Sequence, residues 1–466
     1  MSSDVPNFYN GQNVLITGGT GYLGKLIIGK LLRTTNVNNI YVIIRHKKGI
    51  SSDQRLQQLF DDMIFTNISK DLITQKLHAI EGDLSKTELG LSEADKSFVR
   101  DKVNIVFHCA ASLNMKANLV DAVMTNVNGT AALLDVIKEA KHLKAVVVVS
   151  TAYSYCINKT IEEKFYETPI NADVLLNMAE HLKPELFELI GSKLSEKWPN
   201  TYTFTKAVAE SLLKTRGRGL PIALFRPSIV TSTVSDPVAG WSDNLYGPLG
   251  VLLSTGCGIL RVFPGDNSVH MDTVPGDFAV NAMLCLAWNI HKNWESNPNT
   301  FEQSVYNFSG YNSPLYLTTQ DYSKTALNSG YPRFKRALFA PMLIIIYNKF
   351  IYNILTFILH TIPGMILDII SVFMRKKPRM YKIYSKMYKV TSVLLYFVSH
   401  EWKIKNDNVA ALWKKLSPSD QTLYNFDLQS IDRDEYFYNI MTGLKKYTLK
   451  EETPNNLKPH KERFIK

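Results

Sequence analysis

Four short runs in the first third of the chain are almost continuously apolar and rich in β-branched residues: "NVLIT" at 13–17, "IYVIIR" at 40–45, "VNIVFHCA" at 103–110 and "KAVVVVS" at 144–150. A strand with one wet face alternates apolar and polar residues, so runs without alternation predict strands buried on both faces. Between them lie stretches of helical length, among them Leu23–Arg33 and Val120–Ala140. Strands that alternate with helices pair in parallel, with crossover helices covering both faces of the sheet. The fold class that follows is α/β, a doubly wound parallel sheet. Ligands of such sheets bind beyond the carboxyl ends of the strands, so chemistry is expected in the residues that close each run.

The first run closes into "TGGTGYLGK". Gly18 and Gly21 allow a tight turn and a close approach of backbone to a pyrophosphate, while Gly24 lets the following helix pack on its strand. Thr20, Tyr22 and Leu23 complete the same loop. Set between a strand and a helix, this is the dinucleotide-binding turn of a Rossmann sheet. The second run ends in Arg45, with His46, Lys47 and Lys48 behind it, where an acidic residue would hold the ribose 2′-hydroxyl of NAD. An arginine accommodates a 2′-phosphate instead, and the expected coenzyme is NADPH. Asp83 and Leu84 in "EGDLS" follow another apolar run and are assigned to the cofactor, Asp83 at the adenine. Ala110 in "HCAAS" leaves room for the cofactor across its strand end, and Asn126 in "NVNGT" sits on the next helix beside it.

"VVVVSTAYS" brings Ser150 and Thr151 to the same sheet edge. In "WPNTYTFTK", Tyr202 and Lys206 are four residues apart, a spacing that puts both on one face of a helix. An ammonium beside a phenol favours phenolate and lowers its pKa. The same lysine can hold the nicotinamide ribose, and a hydroxyl, Thr151 before Ser150, can fix a substrate carbonyl oxygen. Thr151, Tyr202 and Lys206 therefore predict general acid catalysis coupled to hydride transfer. Arg226 in "FRPSIV" reads equally as an ion-pair partner or a ligand. The Gly-, Pro- and aromatic-rich stretch Val230–Gly265 is expected to wall the substrate.

At 466 residues, with 45% hydrophobic and 20% charged residues, the chain has ample length for a buried core. A formal net charge of +11 suits anionic partners such as nucleotides, coenzyme A or acidic lipid heads. No nucleic-acid-binding module is recognisable, and the four cysteines lack metal-ligand spacing. No signal peptide opens the chain, and the closing "RFIK" is not a peroxisomal signal. The character changes after about Arg336: Ala337–Met374 is apolar and aromatic, and Arg375–Lys389 carries many cations and no acids. The expected domains are 1–336, a cofactor-binding and catalytic domain with its substrate region, and 337–466, a helical domain. Its hydrophobic segment reads as a membrane span, a docked hairpin or a lid over an acyl tunnel.

"TGGTGYLG", "HCAA", "NVNGT", "STAYS", "YTFTK" and "FRPSIV" together resemble the extended short-chain dehydrogenase/reductases. "WPNTYTFTKAVAE", "GWSDNLYGPLG" and "HTIPGMILDIISVFMRKKPRMYKIYSKMYK" look more narrowly like the alcohol-forming fatty acyl-CoA reductases of animals, especially insect ones, and the likeness covers nearly the whole chain. The resemblance implies a long-chain acyl-CoA substrate, NADPH and a fatty alcohol product, while the unpaired cysteines, the lack of a signal peptide and the apolar tail make a cytosol-facing membrane the expected location. The endoplasmic reticulum comes first, with the peroxisomal membrane as the alternative. It assigns Thr151, Tyr202 and Lys206 to catalysis and Gly18, Gly21 and Gly24 to the cofactor loop. This chain departs from the family pattern at "SLNMKANL", at Gly276, where a larger apolar residue is usual, and at Arg433, where tryptophan is common. Rival readings are a hydroxysteroid dehydrogenase, a sugar-nucleotide epimerase, or a dinucleotide-binding protein without catalysis.

Overall fold

Each of the four apolar runs forms a strand, and three further strands join them in one sheet. In the computed structural model these are β1 (Asn13–Thr17), β2 (Asn39–Ile44), β3 (Leu77–Glu81), β4 (Ile105–His108), β5 (Ala145–Val149), β6 (Ile222–Pro227) and β7 (Ser304–Phe308). The structure describes residues 3–47 and 49–452; Lys48 of the basic loop and the closing "RFIK" lie outside them. The order across the sheet is β7-β6-β5-β4-β1-β2-β3, and every pairing is parallel. The chain runs outward from β1 to β3, then returns to the other side of β1 as β4. That reversal opens a crevice beyond the carboxyl ends of β1 and β4, where the glycine loop and "HCAAS" emerge.

Both faces of the sheet are covered, as unbroken apolar strands require. Val14, Leu15, Ile16, Val146 and Val147 are wholly buried. The helices Leu119–Ile137 and Thr201–Thr215 pack against each other, and Gly276–Ser296 packs on Tyr22–Thr34 and on β5 and β6. The expected helices Leu23–Arg33 and Val120–Ala140 correspond to Tyr22–Thr34 and Leu119–Ile137.

The chain divides into two compact units with interleaved segments. The first comprises residues up to Val230, Val274–Ser309 and Trp402–Asp427; the second comprises Thr231–Thr273, Gly310–Glu401 and the chain from Leu428 onward. The boundary expected at Arg336 falls inside the second unit, and Trp402–Asp427 returns to the first. There Lys403–Ile404 pairs in parallel with Thr160–Ile161. The Asp420 carboxylate accepts hydrogen bonds from the Ser3 hydroxyl (2.5 Å) and the Asp4 and Val5 amides (3.0 and 3.3 Å).

In the second unit Val262–Pro264 pairs in parallel with Ile344–Ile346, and the helices Pro248–Gly256, Thr319–Leu327 and Arg433–Gly443 pack together. Lys349–Phe373 is one continuous 25-residue helix with a π-turn at Phe357–Thr361, followed by the helix Met380–Leu394. It is long and apolar enough to cross a membrane.

Candidate active site

The glycine loop fits a pyrophosphate for steric reasons visible in the backbone. Gly18 has φ +72°, and a β-carbon there would lie 2.7 Å from the Ala110 amide nitrogen. At Gly24 a β-carbon would strike the Gly18 carbonyl oxygen at 2.3 Å. A side chain at Gly18 would push the turn off the backbone that follows β4, and one at Gly24 would push the helix off the turn. Gly21 caps the Tyr22–Thr34 helix without a side-chain acceptor, which leaves first-turn N–H groups to meet an anion. Thr20, Tyr22 and Leu23 are half-buried in this turn. Tyr22 also accounts for Gly276: a β-carbon at 276 would sit 2.6 Å from the Tyr22 hydroxyl.

The β4 end is fixed from beneath. His108 Nδ1 is 2.7 Å from the Thr17 hydroxyl and Nε2 is 3.2 Å from that of Thr130. Burial, with the nearby Lys206 charge, pushes the imidazole pKa down to about 3, so His108 is a neutral structural link. The Ala110 amide donates to Thr17 (3.3 Å). Asn126 holds the loop that follows: its Oδ1 accepts from the Ser112 amide (2.8 Å) and its Nδ2 donates to Thr205 (3.0 Å) on the Tyr–Lys helix. At the outer strands, Arg45 is exposed beyond β2. Burial raises the pKa of Asp83, but hydrogen bonds from Ser85 and the charges of Arg45 and Lys86 outweigh it and hold the carboxyl below its usual range. Leu84 packs on Gly129, and its carbonyl accepts from Asn128 (2.8 Å).

The helix carrying Tyr202 and Lys206 begins at Thr201, capped by Asn200, whose side chain accepts from the Thr203 amide (2.9 Å). Trp198 ties this start to the turn after Thr151, its indole N–H donating to the Ser154 carbonyl (2.8 Å). The structure brings Thr151, Tyr202 and Lys206 together at the end of β5. The Tyr202 phenol lies beside the Thr151 side chain. Lys206 Nζ donates to the Val149 carbonyl (2.7 Å), and burial, opposed by Glu210, lowers its pKa to about 8. The expectation of a phenol acidified by the lysine is corrected here. Burial raises the Tyr202 pKa, the neighbouring Thr151 hydroxyl only partly offsetting it, while the ammonium is directed at a backbone carbonyl. The phenol keeps its proton at neutral pH.

Ser150 and Thr151 have different partners. Ser150 donates to Glu210 (2.5 Å), which forms a fully buried pair with Arg226 through Nε (3.1 Å) and Nη2 (2.5 Å). Arg226 further donates to the Glu162 and Lys164 carbonyls (3.2 and 3.1 Å). Arg226 is thus a structural ion-pair partner. Sequence reasoning missed Glu210, although a signal existed: Tyr202, Lys206 and Glu210 recur at i, i+4 and i+8 on one helix face. Removing one partner of a buried pair leaves the other charged and unpaired, so Glu210→Ala is expected to destabilise the fold by about 3–5 kcal/mol. Urea unfolding measures this, with the loss read as a lower midpoint at unchanged slope.

Two family models, both described as male sterility protein, match residues 16–283 and 359–451. The chain is 37% identical over 97% of its length to fatty acyl-CoA reductase wat of Drosophila melanogaster, covering 87% of that protein. It is 35% identical over 96% of its length to fatty acyl-CoA reductase 1 of Mus musculus and of Homo sapiens, covering 87% of each. The chain belongs to the fatty acyl-CoA reductases. The reductase is therefore an oxidoreductase with a nicotinamide-dinucleotide-binding Rossmann domain. Among solved structures, it superposes on the reductase domain of a nonribosomal peptide synthetase from Mycobacterium tuberculosis with a TM-score of 0.62 at 18% identity, over 96% and 97% of the two chains. For the UDP-glucuronic acid 4-epimerase of Bacillus cereus in complex with NAD the TM-score is 0.53 at 12% identity, over 93% and 97%. These likenesses concern the fold.

Proposed function

We propose that this reductase converts long-chain fatty acyl-CoA to primary fatty alcohol with two equivalents of NADPH, through an aldehyde and with release of coenzyme A. The observation that carries the reading is the convergence of Thr151, Tyr202 and Lys206 at the end of β5, on the same sheet edge as the glycine loop. Gly18, Gly21, Gly24 and the turn residues between them, with Asp83, Leu84, Ala110 and Asn126, would hold the coenzyme, which would supply hydride. Tyr202 and Thr151 aim two hydroxyls at one carbonyl oxygen and bind the charge that develops there. In the thioester step the hemithioacetal collapses and expels coenzyme A. In the aldehyde step Tyr202 gives its proton to the alkoxide, and Lys206 would hold the nicotinamide ribose. Mass-spectrometric detection of fatty alcohol from purified enzyme, NADPH and palmitoyl-CoA tests the reading. Turnover of a 3-hydroxysteroid or a nucleotide sugar in place of palmitoyl-CoA would replace it.

Arg45 supports NADPH over NADH. It is exposed at the end of β2, within electrostatic reach of Asp83. Arg45→Asp removes a charge-assisted phosphate contact and sets a like charge against the 2′-phosphate. The ratio of kcat/KM for NADPH to that for NADH is expected to fall by at least about tenfold, since a hydrogen bond to a charged group contributes about 1.5–3 kcal/mol. An unchanged ratio would remove Arg45 from the site.

The enzyme's place is a cytosol-facing membrane, the endoplasmic reticulum first, where an insoluble alcohol can partition as it forms. The apolar Lys349–Phe373 helix and the cationic stretch behind it support this.

A further inference from the structure

The Lys349–Phe373 helix is built inside out. Thr356, His360 and Gly364, one turn apart, are its buried residues, and Asp368 continues the same row. On the opposite side Phe350, Ile354, Phe357, Ile362, Ile366 and Ile369 are exposed, Phe350 at 73%, and Phe373 ends the row at 83%. A helix on a water-facing surface carries the reverse arrangement, apolar inward and polar outward.

The inward row is satisfied within the second unit. His360 Nε2 accepts from the Arg261 and Val262 amides (2.9 and 3.2 Å), and its ring stacks on Tyr384 with centroids 5.2 Å apart. A β-carbon at Gly364 would lie 2.8 Å from the Tyr384 ring, so the two helices touch closely there. Asp368 accepts from the Arg379, Met380 and Tyr381 amides (2.8, 2.8 and 2.9 Å), closing the connection to the next helix. The helix is therefore seated side-on at its midpoint, on a strand end and a second helix.

Length does not decide how such a helix meets a bilayer. Its 25 residues extend about 37 Å at ~1.5 Å per residue, enough for a ~30 Å hydrocarbon core. The seat decides it. A crossing helix would carry its seat with it and draw Arg261 and Asp368 into hydrocarbon, where charged side chains are costly. Charge fixes the chemistry of the occupant. Arg375, Lys376, Lys377, Arg379, Lys382 and Lys386 are all exposed just behind the apolar row, with no acid from 375 to 389. Anionic headgroups beside acyl chains match both features.

We propose that Lys349–Phe373 lies in the plane of one leaflet, its outward row among the acyl chains and the Arg375–Lys389 cations on anionic headgroups. This rests on the membrane location already proposed and specifies its geometry: both helix ends stay on the cytosolic side.

Full-length protein in sealed microsomes tests it. Lys349→Cys and Lys376→Cys, each compared with the parent protein, are treated with a membrane-impermeant maleimide. Both are expected to react without detergent. Protection of one site until detergent is added means a crossing helix and overturns the proposal. In flotation with purified protein, binding is expected to phosphatidylcholine vesicles containing phosphatidylserine, and more weakly to phosphatidylcholine alone. Ile366→Asp, on the outward row and remote from the Thr151–Tyr202–Lys206 site in sequence, should weaken binding at least about tenfold, since one buried aliphatic side chain contributes ~1.5–3 kcal/mol. Ile366→Asp floating like the parent overturns the proposal. So does a protein that ignores both vesicles and sediments as a dimer, because a second copy then covers the row. Palmitoyl-CoA reduction in detergent is assayed alongside: intact turnover without vesicle binding rejects the leaflet geometry alone, and vesicle binding without turnover rejects the catalytic reading alone.

Discussion

Tyr202→Phe is expected to lower the rate of alcohol formation by ~10²–10⁴-fold, the usual contribution of a positioned general acid. The substitution removes one oxygen and its proton. Burial holds the phenol protonated at neutral pH beside Thr151, so the missing group is the proposed donor itself. Coenzyme affinity should stay within a few-fold, because Lys206 keeps its bond to the Val149 carbonyl and the glycine loop is untouched. Retention of more than about a tenth of the wild-type rate would contradict the assignment. The wild type should show a matching pH dependence. A lysine pKa lowered to about 8 means that the ammonium is present below that pH and lost above it. The kcat/KM for coenzyme, which reports the free enzyme, is therefore expected to decline as pH rises through about 8.

What sequence makes legible follows the range over which its patterns act. Unbroken runs such as "KAVVVVS" identify strands because burial on both faces is a local requirement, and their parallel pairing follows from the alternation with helices. Gly18 and Gly24 are readable because each answers to a steric contact within a few residues or one strand away. The phenol's pKa was not readable. Spacing gives proximity of Tyr202 to Lys206, but the shift depends on burial by distant residues and on where the ammonium points. Glu210 was hidden for a different reason: its helical spacing was visible, but Arg226 lies on another strand. The return of Trp402–Asp427 to the first unit left no periodic trace, because its strand, Lys403–Ile404, is two residues long. Interactions that close across hundreds of residues are specified by surfaces that exist only once the fold is formed.

That returning segment sets the second large expectation: a chain cut after Pro332 should fail to fold, although it retains all seven strands and every proposed site residue. The cut removes Trp402, whose indole N–H donates to the Cys156 carbonyl (2.8 Å) and whose ring meets Tyr153 edge-on at 5.4 Å, two residues beyond Thr151. It removes the Asn408 contacts to the Val305 carbonyl (2.8 Å) and the Glu163 carboxylate (2.7 Å), which support the edge strand β7. It also removes Tyr424, whose carboxyl-side neighbours reach the core through Asn425, the acceptor of Asn281 (2.7 Å). Trp402, Val409, Leu412, Leu416, Tyr424 and Phe426 are all buried. At ~1.5–3 kcal/mol each, their lost burial amounts to on the order of 10 kcal/mol, comparable to the ~5–15 kcal/mol net stability of a typical protein. Expression of residues 1–332 should give insoluble protein, or a soluble fraction without a cooperative thermal transition and without NADPH binding. Restoring the segment discriminates a folding defect from a lost anchor. A chain in which a flexible linker replaces only 349–389 keeps Trp402–Asp427, and its first unit should fold and bind NADPH. If residues 1–332 are instead soluble, unfold cooperatively and bind NADPH like the full chain, Trp402–Asp427 is dispensable and the energetic argument is wrong.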